Sequence, residues 1–214
     1  MRTFIAMDVK DEGSIVNMLA VQREFLSLGF NAKPVSKEQL HFTLLFLGEV
    51  DPIILERVKE RLSTIAFEPV KVAYKGIGVF PSIKHPRIIW VGVDPDAASR
   101  LTDIAREVED RLKPLGFKSD KQFTPHITLL RVKEGGGSSS SSNNKNSMMI
   151  RARSRTTGTS ARSMGDTLAT TIRRYNDTCF GSDILDEIKL KKSELRQEGP
   201  VYTDIFSIKA LHDG

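Results

Sequence analysis

The sequence predicts an α+β fold that is pseudo-symmetric and bilobal, with two small, mostly antiparallel sheets lining a central groove and helices outside. The first observation is a repeated word, because His41-Phe42-Thr43-Leu44-Leu45 returns 85 residues later as His126-Ile127-Thr128-Leu129-Leu130. The second is that similar strand and helix patterns precede each word. The third is the length of 214 residues, which suits one domain or two small lobes that share a core. Together they indicate a duplicated unit.

Four elements are predicted in the first half. An apolar run over residues 4–9 indicates a buried strand, and residues 12–28 carry apolar side chains at helical spacing. Residues 39–48 form a compact apolar run around the first His word, which is typical of a strand. Asp51-Pro52 begins a second helix. The apolar face of that helix consists of Leu55, Val58, Leu62 and Ile65.

The second half repeats this order with an additional strand. Residues 70–80 and 88–93 are predicted to be strands joined by a proline-containing turn, and a capped amphipathic helix follows them. Residues 124–132 then form the strand that holds the second His word. Residues 184–190 and 201–208 indicate a closing hairpin. Each His word therefore lies on an inner strand that faces a shared groove.

Residues 135–182 do not follow this pattern. They open with three glycines and five serines, and they continue rich in Arg, Ser, Thr and Gly, a composition typical of flexible linkers. Only residues 166–176 within them indicate a helix. We therefore expect one domain made of residues 1–134 and 183–214, interrupted by an atypical and largely disordered insert or replaced segment.

The net charge of +5 comes from this atypical segment. Residues 135–182 contain seven Lys or Arg and two Asp or Glu, so the remainder holds 32 − 7 = 25 basic and 27 − 2 = 25 acidic residues. A neutral body lacks the broad basic surface of general nucleic-acid binders. The single cysteine, Cys179, excludes an intrachain disulfide framework, and no apolar run approaches the roughly 20 residues of a membrane span. We expect a cytoplasmic protein.

The spacing within each His word has a geometric consequence. Side chains two residues apart on a strand point to the same face, so His41 and Thr43 project together, as do His126 and Thr128. The apolar residues between and after them pack behind the strand. Two histidines near neutral pH can supply one acid and one base, which is what transfer at phosphorus requires without a metal.

Other interpretations of these residues stay open at this stage. A two-histidine metal site is possible, but neither word contains Asp, Glu or Cys to complete a ligand set. His85 is interpreted as a solvated turn residue and His212 as a tail residue. Phe123 or Tyr202 could stack a nucleobase or pack in the core, and Trp90 is expected in the core.

Paired His-x-Thr words in a duplicated body of this size resemble the 2H phosphoesterase superfamily. The full pattern is most similar to the archaeal and bacterial RNA 2′,3′-cyclic phosphodiesterases, also called 2′-5′ RNA ligases. The segments that carry the resemblance are Arg2-Thr3-Phe4-Ile5-Ala6, Leu40-His41-Phe42-Thr43-Leu44 with Leu47-Gly48, Thr124-Pro125-His126-Ile127-Thr128-Leu129 with Arg131, Leu190-Lys191-Lys192-Ser193-Glu194-Leu195, and Gly199-Pro200-Val201-Tyr202. The resemblance covers residues 1–134 and 183–211 and is absent from the segment between them.

This resemblance implies metal-independent hydrolysis of 2′,3′-cyclic phosphate ends of RNA to 2′-phosphates, with RNA ends or nucleotides as partners, no cofactor and a monomeric protein. By analogy with the family, His41 is expected to donate a proton and His126 to accept one. Thr43 and Thr128 would hold the non-bridging phosphate oxygens, and Arg131 would add positive charge. Because Arg131 lies three residues after Thr128, it needs a bulge or a strand end to reach the groove.

Two alternatives to hydrolysis remain. The same site could join RNA ends through a 2′-5′ linkage, although a neutral body offers little cationic surface for two polynucleotides. The chain could instead be a non-catalytic RNA-binding protein that uses the basic segment 135–182. The second alternative leaves the duplicated His words unexplained.

Overall fold

Strands and helices alternate along the chain much as the sequence patterns indicate. A computed structural model describes residues 1–133, 164–197 and 199–211. In chain order these residues form β1 (Arg2–Asp8), α1 (Glu12–Ser27), β2 (Ala32–Pro34), β3 (His41–Glu49), α2 (Pro52–Leu62), β4 (Val70–Ser82), β5 (His85–Val93), α3 (Pro95–Leu112), β6 (Ile127–Val132), α4 (Met164–Arg174), β7 (Cys179–Leu185), β8 (Glu187–Arg196) and β9 (Gly199–Lys209). The predicted α+β class is confirmed.

The strands form two antiparallel halves that meet between β3 and β6. The hydrogen-bonded order is β7-β4-β5-β6-β3-β1-β8-β9, and β2 adds to β6. The halves are joined at one register pair, Phe42 with Ile127, which are the second residues of the two His words. The two predicted sheets are therefore halves of one continuous sheet, with the pseudo-symmetry axis at their junction.

The duplication extends to the strand register. The pairs of β1 with β3 are Met7–Phe42, Ala6–Thr43, Ile5–Leu45 and Phe4–Phe46. The pairs of β5 with β6 are Val91–Ile127, Trp90–Thr128, Ile89–Leu130 and Ile88–Arg131. Both lists skip the same position of the word, Leu44 in one half and Leu129 in the other, so each half has a β-bulge there.

The helices cover one face of the sheet. α1 packs on β6 and β7, and α3 packs on β3 and β4. Both helices begin at an aspartate whose carboxylate accepts a backbone N–H, from Ser14 to Asp11 at 2.6 Å and from Ala97 to Asp94 at 3.0 Å. The apolar residues of the His words, including Phe42 and fully buried Leu129, point into this helix-covered core. The opposite face is left for the His and Thr side chains.

The closing hairpin differs from its prediction. The apolar run 184–190 is divided at Asp186, because β7 pairs with β4 in one half whereas β8 pairs with β1 and β9 in the other. The hairpin is thus β8 with β9. Local alternation cannot reveal this change of partner, since Leu185 and Ile188 are both buried. The second His strand is also shorter than 124–132, because β6 begins at Ile127.

The sequence predicts that residues 135–182 lie outside the domain, and this prediction needs correction for the C-terminal part of that segment. Residues 164–182 supply α4 and most of β7, and Leu168 and Phe180 are buried in the common core. Helical periodicity within a basic stretch was therefore more informative than overall composition. Residues 134–163 lie outside the described part of the chain, so the prediction of a largely disordered segment stays a prediction there.

Candidate active site

A cleft of about 520 Å³ lies where the two halves meet on the face away from the helices. It is lined by all five residues predicted for the site, namely His41, Thr43, His126, Thr128 and Arg131. Continuing the Phe42–Ile127 register by one residue in each direction places His41 opposite Thr128 and Thr43 opposite His126. The fold therefore places each histidine opposite the threonine of the other His word, and all four side chains line the same cleft.

Both imidazole rings are oriented by the backbone in the same way. His41 Nδ1 lies 2.7 Å from the carbonyl oxygen of Gln39, and His126 Nδ1 lies 2.7 Å from that of Thr124. Because a carbonyl can only accept, each Nδ1 carries the proton, and Nε2 is the unprotonated nitrogen of the neutral ring. His41 Nε2 lies 3.1 Å from Thr43 Oγ1, which positions this nitrogen within its own His-x-Thr word.

The surroundings of the two rings favour their neutral forms. Burial is the largest influence on His41 and lowers its pKa to about 4, while the nearby carboxylate of Asp8 acts in the opposite direction. Burial also lowers the pKa of His126, and the cation of Arg131 lowers it further. The protein environment alone therefore keeps both rings uncharged at neutral pH. An anion between them would favour protonation of one ring.

Arg131 reaches the cleft because of the bulge in β6. Leu129 and Leu130 are consecutive and both fully buried, which breaks the alternation of the strand. After this bulge, Arg131 faces the same side as Thr128 although the two residues are three apart. Arg131 was expected to need a bulge or a strand end to reach the groove, and the bulge at Leu129 provides it. In the sequence, the only sign of this bulge is the pair of adjacent apolar residues Leu129 and Leu130.

Several cleft residues were not predicted from the sequence. Phe46 is 72% exposed and Leu195 is 85% exposed, and both line the cleft. Phe46 is five residues after His41, as Arg131 is five residues after His126, so the two halves place an aromatic ring and a guanidinium at equivalent positions. Counting from each histidine would have identified Phe46. Gln39 also lines the cleft, and its amide donates to the carbonyl of Pro200.

The aromatic residues considered from the sequence take different positions. Tyr202 lines the cleft, with its ring 5.5 Å from that of His41. Phe123 is half-buried against the core instead. Trp90 is half-buried, and its ring contacts those of Phe80 and His126 at centroid distances of 5.0 and 6.1 Å, so its assignment to the core alone was incomplete.

The remaining two histidines, His85 and His212, are not among the described residues that line the cleft. His85 begins β5 and is exposed, and His212 lies outside the described residues. Within residues 1–133, 164–197 and 199–211, no group of three His, Cys, Asp or Glu side chains is arranged to hold a metal ion. Over the same residues, no helix has the length and apolarity needed to cross a membrane.

Comparison with known proteins identifies this arrangement. The sequence pattern of the LigT-like phosphoesterases matches residues 12–90 and 91–156. An RNA 2′,3′-cyclic phosphodiesterase of Archaeoglobus fulgidus is 36% identical over 205 residues, covering 96% of this chain and 98% of that protein. A protein of the same name from Methanocaldococcus jannaschii is 34% identical over 203 residues, covering 94% and 96%.

Solved structures agree in fold. A crystal structure of a Thermus thermophilus protein superposes with a TM-score of 0.68 at 24% identity, covering 99% of this chain and all of that chain. E. coli LigT, crystallised with 3′-AMP, superposes with a TM-score of 0.69 at 19% identity, covering 99% and 98%. With more than half of the sequence matched by the family pattern and relatives above 30% identity over nearly its whole length, this chain is an enzyme of the LigT-like phosphoesterase family.

Proposed function

We propose that the protein hydrolyses 2′,3′-cyclic phosphate ends of RNA, or the corresponding nucleotides, to 2′-phosphates without a metal ion. The observation that carries this proposal is the convergence of both His-x-Thr words and Arg131 on one cleft, with each ring held by a carbonyl at Nδ1. The names of the relatives from Archaeoglobus fulgidus and Methanocaldococcus jannaschii support the same substrate. A monomeric state and a cytoplasmic location remain predictions.

The chemistry is an in-line displacement at phosphorus. Water attacks as neutral His126 takes its proton at Nε2, and the new P–O bond forms while the bond from phosphorus to ribose O3′ breaks. His41, protonated at Nε2, gives its proton to the departing O3′. His126 has then gained one proton and His41 has lost one, so the total on the two rings is unchanged. The reaction leaves a 2′-phosphate and a free 3′-hydroxyl.

The other cleft residues would hold the phosphate in place. The hydroxyls of Thr43 and Thr128 donate to the non-bridging oxygens, and the Arg131 guanidinium compensates the charge that develops on them. The bound phosphate monoanion also raises the pKa of both rings, since an opposite charge within a few ångströms favours the imidazolium. The substrate thus helps to create the protonated donor that its own cleavage requires.

The aromatic side of the cleft is suited to the nucleobase. Phe46 offers an exposed ring beside Phe4, with centroids 6.1 Å apart, and Tyr202 lies on the other side of Phe4 at 4.9 Å. Because every base has a π face, stacking there would bind RNA ends with little sequence preference. Arg131, at the equivalent position of the other half, would take the phosphate.

The test is an assay of cyclic-phosphate dinucleotides in the presence of EDTA, with the position of the product phosphate determined. We expect a 2′-phosphate, undiminished turnover on chelation, and a loss of at least about 10²-fold in kcat in His41→Ala and in His126→Ala. His85→Ala, which alters an exposed histidine outside the cleft, is the control and should retain activity. Loss of activity on chelation, or full turnover in both cleft variants, would refute the proposal.

The same samples address the two alternatives. Ligation would appear as a 2′-5′-joined product that exceeds the hydrolysis product when two RNA ends are supplied. A non-catalytic RNA-binding protein would retain RNA affinity in both cleft histidine variants and lose it when residues 135–163 are deleted. The deletion stops before residue 164 because α4 and β7 belong to the core.

A further inference from the structure

The two cleft histidines have equivalent backbone positions but different neighbours. On β1, Asp8 is the register partner of His41, so their side chains lie on the same face of adjacent strands. In the other half, continuing the register of β5 with β6 by one residue places Gly92 beside His126. The duplication therefore puts a carboxylate next to one ring and no side chain beyond hydrogen next to the other.

Asp8 belongs to a charged cluster that we call the Asp8 cluster, formed by Asp8, Lys189, Lys191 and Asp204. Asp8 Oδ2 lies 3.0 Å from Lys189 Nζ and 2.9 Å from Lys191 Nζ. Asp204 accepts from the same two ammonium groups at 2.7 and 2.6 Å. The side chain of Lys191 is only 6% exposed, so its charge needs these carboxylates. The four residues pair two cations with two anions, and Glu187 Oε2 lies 3.8 Å from Lys189 Nζ at the edge of the cluster.

The equivalent part of the other half is aromatic. The register partner of Lys189 is Ala6, and the residue equivalent to Ala6 in the other half is Trp90. The register partner of Trp90 is Gly78 on β4, so Gly78 takes the position of Lys189. By the same correspondence, the position of Lys191 is taken by Phe80. The Phe80 ring lies 5.0 Å from that of His126 in an edge-on arrangement. Both histidines therefore contact aromatic rings, Phe4 and Tyr202 at His41 and Phe80 and Trp90 at His126. The difference between them is the carboxylate of Asp8, which favours the charged form of His41 and has no counterpart beside His126.

We propose that Asp8 is a positioning residue whose carboxylate favours the protonated form of His41, the ring assigned to give its proton to the leaving oxygen. This inference rests on the proposed function of the cleft. Asp8 acts through its charge and not as a ring acceptor, because Gln39 O and Thr43 Oγ1 already occupy the two nitrogens of His41.

The charges that surround His41 show what the carboxylate of Asp8 opposes. Asp8 of β1 favours the imidazolium, whereas Lys191 of β8 and Arg131 of β6 oppose it. Tyr202 of β9 faces the ring as an uncharged aromatic. Without Asp8 the named ionic neighbours of His41 are all cations. Protonation of His41 would then depend on the bound phosphate alone.

The test compares Asp8→Asn with Asp204→Asn. Each change removes one of the two carboxylates that hold the same lysines, so they are matched for loss of ion pairs, but only Asp8 is the strand partner of His41. We expect the alkaline limb of the pH profile of kcat to move down by about one pH unit in Asp8→Asn, and to stay near its wild-type position in Asp204→Asn. Asp8→Glu should restore most of the wild-type profile.

A modified substrate separates proton donation from simple structural damage. Sulfur in place of the bridging 3′ oxygen leaves as a thiolate without needing a proton, because thiols have a pKa near 8.5. Asp8→Asn should cleave this 2′,3′-cyclic analogue at nearly the wild-type rate while it remains slow on the oxygen substrate. Equal impairment on both substrates, or an unmoved alkaline limb, would overturn the proposal.

A second variant keeps the test independent of how well Asp8→Asn folds. Lys191→Met removes a cation that opposes the imidazolium, so the alkaline limb should move to higher pH; movement to lower pH would contradict the proposal. If the wild-type protein fails to cleave cyclic phosphates, the proposed function is wrong. The influence of Asp8 can still be judged from NMR titration of His41, whose midpoint must be lower in Asp8→Asn than in Asp204→Asn.

Discussion

Gly78 lies on β4 directly opposite Trp90 of β5, and the indole ring occupies the space where a side chain would begin. A Cβ atom at Gly78 would lie 2.0 Å from Trp90 Cζ2 and 2.4 Å from both Cε2 and Cη2. Ordinary contact begins near 3.4 Å, so Gly78→Ala requires the ring to move by about 1.4 Å. Trp90 contacts His126, and its displacement should therefore reach the cleft.

The expected magnitude follows from two opposing effects. Overpacking typically destabilises by about 1–3 kcal/mol, whereas replacing glycine in a strand with alanine gains roughly 0.5–1 kcal/mol. The net loss should be about 1.5 kcal/mol, or about 3–6 °C in Tm for a protein of this size. Since an error of about 1 Å in a catalytic group can cost roughly 10²-fold, kcat should fall about 10- to 100-fold.

Thermal unfolding and the EDTA assay measure these effects, and a double-mutant cycle with Trp90→Leu supplies the control. Leucine does not extend to the indole atoms near Gly78, so in that background Gly78→Ala should be neutral or slightly stabilising. If Gly78→Ala alone stabilises the protein and leaves kcat unchanged, the inferred contact between β4, Trp90 and His126 is wrong.

Three further predictions concern the cleft. The pKa of His41 is about 4 in the folded protein and near 6.5 in the unfolded chain, so its contribution to the free energy of unfolding is complete above pH 6.5 and is lost as the pH falls through 4. Urea unfolding at a series of pH values should show this loss, up to about 3 kcal/mol, in the wild-type protein and not in His41→Gln. Arg131→Met should lower kcat/KM about 10- to 100-fold, measured by steady-state kinetics, and an unchanged value would exclude its phosphate contact. Phe46→Ala should raise KM for cyclic nucleotides but not for ribose 2′,3′-cyclic phosphate, and equal effects on both would argue against base stacking.

The sequence sufficed for the parts of the site that depend on local geometry. A period of two on a strand puts His41 with Thr43, and His126 with Thr128, and the duplication of the words implies that the two strands meet. These residues do line one cleft. The helices with aspartate caps were predicted for the same reason, because a cap and an apolar stripe are properties of neighbouring residues.

What the sequence could not supply depends on which strands become neighbours. The bulge that turns Arg131 into the cleft is a matter of register, and adjacent Leu129 and Leu130 are equally compatible with a strand buried on both faces. Asp8 comes beside His41 only when β1 pairs with β3, and Lys191 comes beside Asp8 only when β8 pairs with β1. No periodicity within any one segment encodes those pairings.

The short and interrupted elements were missed for a similar reason. β2 has only three residues, Ala32–Pro34, and is defined by its hydrogen bonds to β6 and not by a pattern of its own. The change of partner at Asp186 leaves no local signal either, because apolar residues continue on both sides of it. Tertiary pairing determines both features.

A crystal structure with a uridine–vanadate complex would test the two-histidine cleft most directly. Vanadium takes the trigonal bipyramidal geometry of in-line displacement, with two apical oxygens on opposite sides. We predict that one apical oxygen lies within about 3 Å of His41 Nε2 and the other within about 3 Å of His126 Nε2, with Thr43, Thr128 and Arg131 on the equatorial oxygens. A complex in which only one ring reaches an apical oxygen, or in which a metal ion takes the place of either ring, would contradict the account.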